Sequence, residues 1–175
     1  MLKINDIGEC EGNVVEVDEY VPLTVRFGSG RDASPLYWRA GNGKDSLLEV
    51  GLSASTGKII SVTVVTIPSV ALRHYECQVK SCAFDVGVPL FCVVGWASRE
   101  SYSNRFLDDF SVGFDLFVDA DRACIVFDVQ QEIVQLVRNG SVSFGVSSRG
   151  ELLSIEVSCL DVDKMDLLKS FTSCG

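Results

Sequence analysis

Gly51-Leu-Ser-Ala-Ser-Thr-Gly57-Lys-Ile-Ile-Ser-Val-Thr-Val64 is answered later in the chain by Gly145-Val-Ser-Ser-Arg-Gly150-Glu-Leu-Leu-Ser-Ile-Glu-Val157. After the second glycine of each stretch the order is the same: a charge, two aliphatics, Ser, a β-branched residue, a polar residue and Val. Alternating aliphatics around a glycine-bearing turn are the pattern of a β-hairpin. A hairpin written twice predicts a β-rich protein with two similar halves, about 1–97 and 98–175. The match leaves open whether the halves share an ancestor. Turn glycines and alternating aliphatics also arise by convergence.

Working outward, Asn13–Tyr20 and Leu23–Phe27 read as strands broken at Pro22, and Gly28–Pro35 reads as a loop. Leu36–Ala40 is a short strand, and Asn42-Gly43 is a turn signal. Ser46–Leu52 and Lys58–Thr66 form the first hairpin, and Pro68 ends it. Val70–Lys80 has no clean period. Val86–Trp96 reads as a buried strand in which Pro89 implies an edge or a bulge, and Ser98–Asn104 reads as the loop between halves. Ser111–Val118 and Ala123–Phe127 form another hairpin. Gln131–Arg138 reads as a strand leading into the type I′ dipeptide Asn139-Gly140, with a short helix capped by that dipeptide as the alternative. Ser141–Val146 and Leu152–Cys159 complete the second copy. Asp163–Phe171 reads as a helix capped by Asp163, with Val162, Met165, Leu168 and Phe171 on one face. The fold class is thus mainly β (α+β): about ten strands in antiparallel sheets or a sandwich, with one C-terminal helix and a single domain.

At 175 residues and 47% hydrophobic content, the chain is large enough to bury a core without a metal or disulfide staple. No apolar run approaches the length of a membrane helix. The first residues lack the basic-then-apolar layout of a signal peptide, so the expected location is the cytoplasm, with no membrane partner. Seven scattered cysteines (10, 77, 82, 92, 124, 159 and 174) agree with a reducing compartment. The formal charge is −9, with −3 on residues 1–94 and −6 on the remainder. Phosphate binding wants clustered Lys and Arg, so nucleic acid is not an expected partner. A cationic protein is, because opposite potentials steer encounter.

The catalytic kits fail in turn. The single histidine, His74, rules out a multi-histidine metal centre, and no nucleophile signature surrounds it. Cys77 and Cys82 have no second close pair to complete a zinc site. Gly43-Lys44 and Gly57-Lys58 lack both the upstream glycine and the following Ser or Thr of a phosphate loop. Asp119-x-Asp121 lacks EF-hand spacing and suits a turn. No cofactor, no metal and no enzymatic activity are expected. The expected partner-binding residues are Asp108, Asp109, Asp115, Asp119 and Asp121 as a negative face, with Trp96 and Tyr102 as aromatic anchors. Two alternatives remain: a carboxylate-dependent hydrolase on a β scaffold and a homo-oligomeric structural module.

The stretches Leu47–Thr66 and Phe114–Phe127 resemble immunity proteins of bacterial polymorphic toxin systems, including contact-dependent growth inhibition. The resemblance rests on hairpin pattern. It implies a small cytoplasmic inhibitor that binds one cognate toxin domain. Many such toxins are basic nucleases, which an acidic inhibitor blocks by imitating phosphate. No residue of this chain takes a role from the resemblance.

Overall fold

The computed structural model describes residues 1–28, 34–67, 72–74, 83–96, 102–119, 121–127 and 130–171. Within these the protein is mainly β, with one C-terminal α-helix. Strands β2 (Asn13–Glu16), β3 (Leu23–Phe27), β4 (Leu36–Gly41), β5 (Leu47–Leu52) and β6 (Ile59–Thr66) form one antiparallel set. Strands β11 (Phe114–Asp119), β12 (Arg122–Phe127), β13 (Ile133–Asn139), β14 (Val142–Ser147) and β15 (Leu152–Val157) form another. A short strand joins each set in parallel: β10 (Phe106–Asp109) beside β4, and β8 (Ala83–Val86) beside β13. The first sheet runs β10-β4-β5-β6-β3-β2, and the second runs β8-β13-β14-β15-β12-β11-β7, ending on β7 (Leu72–His74). The two orders match strand for strand over the first six members. The parallel strands are exchanged. β8 lies in the N-terminal half of the chain yet serves the second sheet, and β10 lies in the C-terminal half yet serves the first.

Period-two alternation puts every second residue of each sheet on one face, and those faces meet. Phe27 of the first sheet packs on Phe144 of the second at 5.9 Å, and Trp38 of the first meets Phe127 of the second edge-on at 5.5 Å. Leu23, Val25, Val50 and Val62 join Leu116, Ile125, Phe144 and Ile155 in one continuous buried cluster. Each such side chain contributes roughly 1.5–3 kcal/mol on burial.

The two written hairpins are the β5–β6 and β14–β15 pairs, and their turns close alike. Ser53 N–H donates to Lys58 and Gly57 N–H to Ser53; Ser147 N–H donates to Glu151 and Gly150 N–H to Ser147. Across the two turns lies a separate ribbon, β1 (Ile4–Gly8) against β9 (Val88–Phe91). Phe91 N–H donates to the Gly57 carbonyl, and Ile4 N–H donates to the Gly150 carbonyl, each at 2.8 Å. Since Ile4 also pairs with Phe91, the contacts are reciprocal, as across a two-fold axis.

Several expected boundaries move. Asn13–Tyr20 shortens to β2, because the Asp18 carboxylate accepts from Tyr20 and Val21 N–H and turns the chain. Val86–Trp96 is broken at Gly87, whose φ of 151° separates β8 from β9; Pro89 lies in the two-stranded ribbon. The ambiguous segment 131–138 is strand β13. The helix α1 (Val162–Ser170) is capped by Asp161, which accepts from Lys164 N–H, and not by Asp163, two residues later in the first turn. Met165 and Leu168 are buried as expected, but Val162 is 73% exposed and leaves the apolar face. Strands β1, β7 and β10, and β8 before Val86, have no counterpart in the sequence pattern. Residues 29–33, 68–71, 75–82 and 97–101 lie outside the described residues, which covers most of two expected loops and the aperiodic segment.

Candidate protein-binding face

The outward faces of the two sheets can be read row by row from the register. In the second sheet one row is Phe84, Leu136, Gly145, Ser154, Val126 and Asp115. The next is Val86, Arg138, Ser143, Glu156, Cys124 and Phe117; Ser154 and Cys124, although turned away from the core between the sheets, are themselves buried. In the first sheet the corresponding rows are Phe106, Tyr37, Gly51, Ser61, Arg26 and Val14, then Asp108, Arg39, Glu49, Thr63, Thr24 and Glu16. Phe, Gly, Ser and Arg recur at matching places. The Gly–Ser pair has a steric reason: a Cβ on Gly51 would lie 2.4 Å from Ser61 Oγ, and one on Gly145 would lie 2.3 Å from Ser154 Oγ. The repeated glycine and serine of the sequence are thus cross-strand neighbours.

The five aspartates divide between the sheets. Asp108 is on the outward face of the first sheet, where Arg39 Nη1 lies 3.6 Å away. Asp109, one residue on, faces the other way. Its carboxylate takes the Met1 amino group, the Ser111 hydroxyl and the Trp38 indole N–H. Burial pushes its pKa up, but those hydrogen bonds and the Met1 charge outweigh burial and hold it below the usual carboxylate range. Asp115 and Asp119 are half-buried on the outward side of β11 in the second sheet, with Phe117 between them. Asp121 is exposed in the turn before β12, 3.7 Å from Arg122 Nε. The structure therefore groups Asp115, Asp119 and Asp121 together, and separates them from Asp108 and Asp109.

Trp96 is half-buried and packs on the core cluster. Tyr102 opens the 3₁₀ turn Tyr102–Arg105 before β10; its side chain lies outside the described residues, as do those of His74, Cys77 and Cys82. Among the described residues no three His, Cys, Asp or Glu side chains cluster as a metal site.

The larger apolar exposure lies at the opposite edge of the second sheet, which no sequence motif marks. Phe84 is 56% and Val86 65% exposed on β8, and Val134 is exposed on β13. Aromatic and Arg side chains are enriched in protein interfaces, and Arg138 borders this edge. Comparison with known protein families and curated proteins finds no match for the chain.

Proposed function

We propose that the chain is a toxin-neutralising immunity protein that binds a cognate cationic toxin domain through the outward face of its second sheet. The observation that supports this most is the composition of that one face. Asp115 and Asp119 on β11 and Glu156 on β15 supply carboxylates, and Phe84, Val86 and Leu136 supply apolar surface at the β8 edge. Carboxylates steer a basic partner and apolar anchors hold it. Asp108 and Asp109 leave the binding set, because β10 places them with the first sheet, apart from this face. The inhibitor then acts by covering the toxin's anion-binding site, with no chemistry of its own.

Co-purification with the product of the adjacent gene, followed by titration calorimetry over a salt series, tests this. Asp115→Lys/Asp119→Lys is expected to weaken the complex, and wild-type affinity is expected to fall steeply with salt. An affinity indifferent to both salt and the double substitution overturns the reading.

A further inference from the structure

In the first sheet a guanidinium is held over an aromatic ring entirely by neighbours in the same chain. Arg39 lies 3.7 Å from the centroid of Phe106, against which Tyr37 stacks at 5.3 Å. Glu49 Oε2 lies 3.2 Å from Arg39 Nε, and Asp108 Oδ1 lies 3.6 Å from Nη1. Cation, ring and two carboxylates make a closed set.

The matching positions of the second sheet keep the cation and the ring and lose both acids. Phe84 stands for Phe106 and Arg138 for Arg39, but Ser143 replaces Glu49 and Val86 replaces Asp108. Arg138 instead donates through Nε to the Gly140 carbonyl at 3.1 Å, and among the described residues no carboxylate is paired with it. Phe84 and Val86 are left mostly exposed.

From this we infer that Phe84, Val86 and Arg138 form a docking point for a partner-protein side chain carrying a carboxylate next to apolar surface. The carboxylate takes the place that Asp108 and Glu49 hold in the first sheet, and the apolar part covers Phe84 and Val86. The inference rests on the reading of the chain as a binding protein and names one chemical requirement of the partner. A toxin steered by its basic surface must place one acidic residue at this corner, and a single charged contact of that kind fixes the orientation of docking.

Benzoate, which joins a carboxylate to a ring, is a direct probe. In a titration of the ¹⁵N-labelled full chain, benzoate is expected to shift the Arg138 Nε–H signal and the Phe84–Val86 amides while leaving Arg39 Nε–H in place. Benzamide, uncharged, is expected to leave Arg138 unmoved. Val86→Asp/Ser143→Glu restores the missing acids within the chain, so it should bring Arg138 over Phe84, raise the melting temperature and remove most of the benzoate response. Arg138→Gln, an exposed substitution, should also remove it and guards against a folding defect in the double variant. A benzoate response equal at Arg39 and Arg138, absent from both, or unchanged in the variants overturns the inference. Self-association of the wild-type chain that the double variant abolishes also overturns it, by assigning the acid to a second copy. A benzoate response without any cationic partner leaves this site standing and removes the immunity reading.

Discussion

Two glycines at the same place in two hairpins carry different loads. Gly57 and Gly150 both have left-handed backbone, with φ of 73° and 74°, so a side chain costs about 1 kcal/mol at either. Their surroundings differ. A Cβ on Gly57 would lie 1.9 Å from the Phe91 carbonyl oxygen, whereas one on Gly150 finds its nearest neighbour, the Ile4 carbonyl, at 3.4 Å. Gly150→Ala should therefore cost about the backbone term alone, and Gly57→Ala should cost more and shift the β9 ribbon. Urea unfolding of both variants checks this; equal losses would mean that the ribbon yields freely at Gly57. Asp109 gives a pH prediction. Its folded pKa is depressed, so its contribution is present above the unfolded value of about 3.9 and lost as pH falls through the lower folded value. Asp109→Asn should lower the melting temperature at neutral pH, and the gap from wild type should narrow in the acid limb below about pH 4. A gap constant with pH would contradict the depressed pKa.

Between elements, the seams depend on a few polar groups. Asn139, fully buried at the end of β13, donates through its amide to the Glu11 carbonyl and accepts from Glu11 N–H, both at 2.8 Å. Asn13 and Ser141 add further bonds around the same turn. The other hairpin turn is met in the same manner, Gly41 N–H donating to Val112, in the segment that leads into β11. Each half's lead-in thus docks on the other half's turn. Asn139→Ala leaves the part-buried N–H and carbonyl of Glu11 without their side-chain partner and should cost about 1–3 kcal/mol, whereas Asn42→Ala, in an exposed turn, should cost less; thermal melts of the pair decide it. Much of this level was legible beforehand. The hairpin glycines, the apolar alternation of β3, β5, β6, β14 and β15, and Asn139-Gly140 all act locally, and local signals survive in sequence. The exchanged strands β8 and β10 did not announce themselves, because their pairing is set by partners far along the chain and neither Ala83-Phe-Asp-Val86 nor Phe106-Leu-Asp-Asp109 alternates cleanly between apolar and polar. Consecutive Asp108 and Asp109 read as one acidic patch until β10 formed; strand alternation then sent them to opposite faces. The Phe84–Arg138 corner needed the register of both sheets before its missing carboxylates became visible.

The exchange has a consequence for the whole molecule. Neither half can complete its sheet alone, since β8 belongs in chain order to one half and in space to the other, and β10 does the converse. The ribbon β1–β9 ties both hairpin turns, and the aromatic pairs Phe27–Phe144 and Trp38–Phe127 lie across the sheets within one core. Unfolding one half would strip the other of an edge strand, a docked lead-in and the apolar face it packs against, so no half-folded state is favoured. Denaturation should accordingly be one cooperative transition. Two probes follow it independently: the fluorescence of Trp38, buried in the core between the sheets, together with Trp96, and far-ultraviolet circular dichroism, which averages both sheets. Their urea midpoints should coincide, and Phe127→Leu, which loosens the same core contact and keeps both tryptophans, should shift both together. Separate midpoints, or a plateau between two transitions, would mean that the sheets fold as independent units joined only by the chain, and the reciprocal contacts would then be too weak to couple them.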